Sequence, residues 1–347
     1  MKKLICLVTV ALFLFSIGMV FAGGQQEATE SGQGEAVEKT IVIKYGHSGT
    51  FEGLHGIAST KFKELAEKYS NGRIEVQLYP GNQLGSEQEA FQGARVGNPQ
   101  MTDGAVNNLT PFAPAVGFCS FPYMFETKEQ AYKILDMEGD IGQELQKTVI
   151  DQAGVRILGF LEGGYRMLTN SKRSVDEMSD LKGLKIRVPN NTIMIDTWKQ
   201  FGINPTAMAW TEVFTALQQK TIDGQENPPW VIWEEGFYDV QKYITELHYL
   251  MWLGPMVIGE DFFQSLPSDM QEVVTKAARE AVQYERDVIG KRNDKFLQDL
   301  QGKGMEVVEP ANEQDWIDVA KTIWPKYYGD IGGKELVEKI EMMKKNM

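Results

Sequence analysis

From residue 40 onward the apolar positions switch between two periods. Ile41-Val42-Ile43-Lys44-Tyr45 is β-branched and aromatic, which predicts a buried strand. Phe62, Leu65, Ala66 and Tyr69 then recur at helical spacing in a helix starting near Gly53, and Asn71-Gly72 ends it. The run from Arg73 to Tyr79 alternates strictly, a strand stopped by Pro80-Gly81. A helix over about 86–96 turns Ala90, Phe91 and Ala94 inward, and 101–106 predicts a short strand leading to Asn107-Asn108. This β-α-β-α-β order argues for a mostly parallel sheet with helices on both faces.

The second half continues the alternation. Thr127-Lys128-Glu129-Gln130 is a capping box for a helix running to about residue 151. A strand over 155–161 leads to Gly163-Gly164-Tyr165-Arg166, and those glycines place a first crossover between domains near residue 163. Ser174-Val175-Asp176-Glu177 is a second capping box. The alternating run Leu184-Lys185-Ile186-Arg187-Val188 follows and stops at Pro189, which has no N–H to give a ladder. Helices are expected over 192–201, ended by Gly202, and over 211–220, with Val213, Phe214 and Leu217 inward. Residues 223–229 read as a constrained loop, and 240–249 as a strand returning to the first domain. The longest helical pattern, 268–301, contains no proline and would extend roughly 50 Å, too far for one domain of this size. A strand over 305–308 and helices over 316–328 and 334–345 close the chain, with no internal repeat.

Residues 1–39 break this pattern. Met1-Lys2-Lys3 is basic, 4–15 is apolar, and Phe21-Ala22-Gly23 offers small residues for cleavage. An export signal (1–22) cleaved near Ala22 is expected, and with it a periplasmic location; an uncleaved anchor is the alternative. No cysteine follows the apolar run, so a lipoprotein anchor is not expected. Residues 23–39 are rich in Gly, Gln and Glu and read as a flexible linker. Cleavage removes Cys6 and leaves Cys119 in an apolar run, so no intrachain disulfide framework is possible. The formal charge of the 347 residues is −13, and loss of Lys2 and Lys3 makes the mature chain more acidic. Nucleic acid and anionic membrane are therefore poor partners, and an anionic ligand needs a local positive site. The length also exceeds what one core organises, so two domains are expected.

Two features carry candidate chemistry. Arg187 ends its strand, where open α/β sheets place ligands. Asp223-Gly224-Gln225-Glu226-Asn227-Pro228-Pro229 then gathers amides and carboxylates. An arginine fork gives a carboxylate two parallel charged hydrogen bonds, and an amide fixes its orientation. Taken singly, a strand-end arginine is also compatible with a structural ion pair, and an Asn-Pro run with a turn. The three histidines, His47, His55 and His248, show no metal-ligand spacing. Nucleophile-elbow, phosphate-loop and dinucleotide motifs are absent. His55 and Ser59, one helical turn apart, are the weak alternative for catalysis. Asp136-Met137-Glu138-Gly139-Asp140 reads as a solvated helix end, and Asn108-Leu109-Thr110 as a chance sequon.

The strings LKGLKIRVPN, AMAWTEVFTALQ and DGQENP resemble the DctP-type solute receptors of tripartite ATP-independent periplasmic (TRAP) transporters. The resemblance covers essentially the whole mature chain. It implies an α/β, two-domain periplasmic binding protein fold (type II-like), with mixed sheets flanked by helices and a long helix spanning both domains. The expected division is 40–163 with 253–291 as domain I and 164–252 with 292–347 as domain II. The domains would close on a sugar acid, C4-dicarboxylate or related carboxylate and deliver it to TRAP membrane subunits. Neither catalysis, cofactor nor metal is implied, and a monomer is expected. Arg187 matches the arginine that pairs with the ligand carboxylate, Arg166 a second contacting arginine, and Asn227 the amide opposite. Trp210 matches an aromatic wall. Ser48 and Asn107-Asn108 are the nearest equivalents of a polar first-domain wall. Trp230 would wall the site further while Trp233 is core, and Glu226 is counted with the loop that carries Asn227. A sensor for a kinase or chemoreceptor would use the same site with another partner. A secreted α/β enzyme would need a nucleophile or base that the chain does not convincingly supply.

Overall fold

The computed structural model describes residues 40–347. The export signal and linker expected over 1–39 lie outside the described residues. Strand β1 (Ile41–Gly46) pairs in parallel with β2 (Ile74–Tyr79) on one side and β3 (Met101–Asp103) on the other. Helix α1 (Leu54–Tyr69) joins the first two. Helix α2 (Glu87–Arg95), capped by Ser86 and Glu89, joins the next. A single turn, α3 (Val106–Leu109), carries Asn107 and Asn108.

The helix expected over 127–151 is two helices, α4 (Lys128–Ile134) and α5 (Asp140–Ala153). The chain turns between them, with Gly139 N–H donating to Asp136 O at 2.9 Å. Gly142 packs so closely on Asp136 O that a Cβ would come within 2.0 Å of it. Strand β4 (Val155–Tyr165) runs straight through the glycine pair, and β5 (Met167–Asn170) follows after one residue, Arg166. The second capping box forms from Glu177 and Asp180, around a 3-10 turn at Met178–Leu181, rather than from Ser174 and Glu177.

Only the last two residues of the 184–188 run form a strand, β6 (Arg187–Val188). Helix α6 (Thr192–Gln200) leads to β7 (Thr206–Ala207), the parallel partner of β6. Helix α7 (Val213–Gln218) precedes β8 (Gly224–Asn227). The segment expected as a loop is thus a fully buried strand paired antiparallel with β5. Helix α8 (Pro229–Glu234) starts directly after it. The strand expected over 240–249 shortens to β9 (Tyr243–Thr245), which stays in the second sheet. The return to the first sheet is made by β10 (Met251–Gly259), buried at all nine positions. Then come α9 (Glu260–Ser265), α10 (Ser268–Gly302), β11 (Glu306–Val308), α11 (Glu313–Ala320) and α12 (Lys334–Lys345).

The first sheet has the order β2-β1-β3-β10-β4 and the second β11-β9-β5-β8. In the first, β10 runs antiparallel to both neighbours, so that sheet is mixed rather than mostly parallel. The 35-residue α10 lies across both sheets. Its Val274, Ala278 and Ala281 pack in one core with Ile43 and Phe62, whereas Leu300 packs in another with Ile244 and Val213. Residues after α11, placed with the second domain in the expected division, supply Trp324, Tyr327 and Ile340 to the core around Phe118 and Phe121. Cys119 is buried there as a free thiol. Among the described residues no helix is long and apolar enough to cross a membrane.

Candidate functional site

Where the two lobes meet they form a cavity of about 90 Å³. Arg187, Arg166, Asn227, Trp210 and Trp230 line it from the β5–β8 side, and Ser48 and Asn107 from the β1–β3 side. Glu226 does not line it; its side chain is fully buried behind Arg166. The lobes touch beside the cavity, where Asn191 Nδ2 donates to Asn107 O at 3.2 Å.

The two arginines differ in charge balance. Arg166 follows the end of β4, and its Nη2 donates to the Glu226 carboxylate at 2.9 Å and to Glu226 O at 2.8 Å. Arg166 Nε donates to the same carboxylate, and Tyr249 O–H donates to it at 2.5 Å. Burial alone would lower the Arg166 pKa, but the Glu226 carboxylate more than reverses this and the pKa is raised. Arg187 is equally buried but lacks such a partner. Its Nε and Nη2 donate to Met208 O at 3.1 and 2.7 Å, and its guanidinium lies 5.6 Å from the Trp210 ring. No carboxylate of the described residues forms an ion pair with it. Burial, with Arg166 nearby and only partial relief from Glu226, pulls its pKa down to about 10. Two donations to one carbonyl leave Nη1 and one Nη2 hydrogen unused, the edge that takes a carboxylate end-on.

Asn227 is held by a buried chain of side chains. Its Nδ2 donates to Gln225 Oε1 at 2.6 Å, Gln225 Nε2 to Thr169 Oγ1 at 3.0 Å, and Thr169 to Gln241 Oε1 at 3.1 Å. The opposite wall centres on Glu87, in the first turn of α2. Its carboxylate accepts from Ser48 Oγ at 2.7 Å, Ala105 N at 2.9 Å and Asn108 Nδ2 at 2.6 Å. Trp230 meets Trp252 and His55 edge to face at 5.5 and 5.9 Å. Trp233 packs on Tyr238 and does not line the cavity.

Ser48, His55 and Asp103 follow one another like a nucleophilic triad. His55 Nδ1 is ion-paired with Asp103, and His55 Nε2 lies 3.4 Å from Ser48 Oγ. A general base must be neutral, however. Burial would lower the His55 pKa, but Asp103 overrides it and holds the pKa at about 9. The Ser48 proton points to Glu87. Donors thus run from His55 through Ser48 to Glu87 and fix an acceptor in the wall rather than activate a nucleophile. Ser59, the partner considered for His55, instead pairs with His47 Nε2 at 3.1 Å. Among the described residues no cluster of ligating side chains fits a metal ion.

Sequence reasoning missed Glu87, Glu234, His55 as a wall residue, and Trp252. Glu87 follows Ser86 at a helix start, where an acid reads as ordinary capping. Trp252 sits in an unbroken apolar run, where nothing separates a wall from core.

Residues 45–330 match the bacterial extracellular solute-binding protein family 7, DctP. The 2,3-diketo-L-gulonate-binding periplasmic protein YiaO of Escherichia coli (strain K12) is 31% identical over 276 residues, 80% of this chain and 83% of that one. The C4-dicarboxylate-binding periplasmic protein DctP of Rhodobacter capsulatus is 29% identical over 274 residues, 78% of this chain and 80% of that one. A crystal structure of a TRAP periplasmic solute binding protein from Haemophilus influenzae with bound L-gulonate is 31% identical. The match covers 87% of this chain and 99% of that one, with a TM-score of 0.82. The two sheets, the helix across them and the cavity between them are therefore those of a solute receptor, and the chain belongs to the DctP family of TRAP-transporter solute-binding proteins.

Proposed function

We propose that the protein binds a hydroxylated monocarboxylate, of the sugar-acid class, in this cavity and delivers it to TRAP membrane subunits without chemical change. The observation that carries the reading is Arg187, a buried cation with no carboxylate partner of its own, facing a cavity shared with Asn227 and Arg166. A ligand carboxylate supplies the missing counter-charge, with the Arg187 fork on one side and the Asn227 amide on the other. The far wall argues for hydroxyl groups at the ligand's other end. Glu87 faces the cavity there, and its oxygens accept from hydroxyls but repel a second carboxylate. Similarity to a diketogulonate-binding relative and to a structure holding L-gulonate supports the hydroxylated acid. The dicarboxylate-binding relative supplies the contrast.

The test is a thermal-shift and calorimetric screen of residues 23–347. L-gulonate and other four- to six-carbon aldonates are compared with succinate, malate, neutral sugars and amino acids. Ligand at one hundred times its dissociation constant adds about 2.7 kcal/mol, several degrees in a protein of this size. Aldonates are expected to shift the melting temperature and to be recovered intact. A shift with succinate or malate but not with aldonates would overturn the assignment of the far wall. A shift confined to neutral or cationic solutes would overturn the carboxylate site.

A further inference from the structure

The cavity contains one half-buried carboxylate with no hydrogen bond or ion pair among the described residues; Glu235, which also lines it, is exposed. Arg166 is paired with Glu226 and His55 with Asp103, and a ligand carboxylate would neutralise Arg187. Glu87 has three hydrogen-bond donors. Glu234, the last residue of α8, has none: among the described residues no hydrogen bond or ion pair reaches its carboxylate. It is half-buried, lines the cavity, and lies against Gly53 at the start of α1 in the other lobe. A Cβ on Gly53 would come within 2.4 and 2.7 Å of its two oxygens.

Other titratable groups surround Glu234 from each side. His55 on α1 and Arg292 on α10 favour its charged form. Glu52, before α1, and the exposed Glu235, which follows α8 and also lines the cavity, oppose that form. Glu87 faces the same cavity. Burial outweighs the favourable neighbours and raises the Glu234 pKa to about 7. A carboxylate entering the cavity adds another negative charge and excludes more water, and both effects disfavour the charged form.

We propose that Glu234 takes up a proton when the receptor binds its carboxylate ligand, so that loading is coupled to protonation at this position. The inference rests on the reading of the cavity as a carboxylate site. Its sign follows from linkage. A group whose pKa rises on binding gives the strongest affinity where it is already protonated, here below about pH 7. Affinity then falls as pH rises, by at most roughly tenfold per unit for one proton. It levels off once the pKa of the bound state is passed.

The experiment is calorimetry at about pH 7.5 in phosphate and in Tris, whose ionisation enthalpies differ, at fixed ionic strength. L-gulonate is the probe, or whichever aldonate the screen identifies. The wild-type protein is expected to take up a few tenths of a proton per ligand, Glu235→Gln the same, and Glu234→Gln close to none. Wild-type binding without uptake, or uptake that survives Glu234→Gln, overturns the proposal and leaves the receptor reading standing. Failure of every acid to bind overturns both. If Glu234→Gln does not bind, the wild-type dissociation constant across roughly pH 6 to 9 decides: weakening with rising pH supports the coupling, and a flat profile overturns it.

Discussion

Arg166 and Arg187 are chemically identical side chains, buried to the same extent, and removing each should have a different consequence. Arg166 is the counter-ion of a fully buried carboxylate. Arg166→Ala leaves Glu226 uncompensated and should cost the free protein about 3–5 kcal/mol, visible in its melting temperature. Arg187 neutralises nothing of the protein's own. Arg187→Ala should leave the melting temperature of the free protein close to wild type. It should weaken ligand binding by about 2–5 kcal/mol, roughly thirty- to several-thousand-fold. Arg187→Lys should also fail, because an ammonium cannot reproduce the fork. An affinity within about threefold of wild type for Arg187→Ala would rule out the clamp. The stacked His47 and His55 rings, 5.9 Å apart, carry a second contrast. Burial lowers the His47 pKa to about 4, whereas Asp103 raises that of His55 to about 9. His55 stabilises the fold fully below its unfolded value near 6.5, and that stability is lost as pH rises toward 9. Keeping His47 neutral stabilises above 6.5, and that is lost as pH falls toward 4. Melting curves of His55→Gln should therefore fall less steeply than wild type between those alkaline limits; an unchanged slope would show that the ion pair with Asp103 does not set the stability there.

At the scale of elements, Gly224 joins the two strands that carry the clamp. Asp223 and Gly224 N–H groups donate to Lys185 O, and Ile186 bridges to Gly224, so β6 with Arg187 is fastened to β8 with Asn227. The strands approach so closely that a Cβ on Gly224 would meet Thr169 O at 2.1 Å and Ile186 Cδ1 at 2.9 Å. Neither strand can give way without breaking the ladder to β5. Gly224→Ala should destabilise by about 1–3 kcal/mol and loosen Arg187 and Asn227 together. Scanning calorimetry should show a drop of several degrees, with weaker aldonate binding in the protein that remains folded. An unchanged melting temperature would mean the contact relaxes freely. The edge strand β4 is protected differently. Gln146 makes both backbone bonds of Ile157, at 2.9 and 3.0 Å, and Arg286 covers Phe160 O at 2.6 Å. Side chains thus occupy positions where another strand would pair.

For the whole molecule the decisive features are one long helix and one sign of charge. Helix α10 contributes to both cores, so the lobes share a rigid strut, and the chain passes between the sheets at β4–β5 and β9–β10. Those few crossings leave the cleft as the natural place for relative movement. The formal charge of −13 repels an anionic ligand at long range, while the positive site that holds it is local. Raising ionic strength from about 0.01 to 0.15 M shortens the Debye length from about 30 to 8 Å and screens that repulsion. Stopped-flow association of an aldonate should quicken with salt, roughly by a factor of two or more, with little change in dissociation. Slowing with salt would mean that the cleft's own field steers the anion inward.

Much of this was legible in residue order alone. Period-two and period-3.6 patterns located β1, α1, β2, α2 and the long α10, because in these elements one face is buried and the other is not. The motif strings placed Arg187, Asn227 and Trp210 together at one cavity. Legibility ended where burial is two-sided or partners are remote. Asp223 to Asn227 is polar and contains Gly224, so it read as a loop; its Gln225 amide donates to Thr169, itself held by Gln241, and only folding brings these near. Arg166 and Glu226 stand sixty residues apart in sequence, and nothing local says that one neutralises the other while Arg187 is left without a counter-ion. Ser48, Glu87 and Asn108 come from three separate segments, and His55 meets Asp103 across the first sheet. Sequence by itself therefore determined the amphipathic elements and the residue types able to hold a carboxylate. Tertiary structure alone decided which charges are compensated and which face the ligand, because desolvation and pairing depend on neighbours that chain order does not specify.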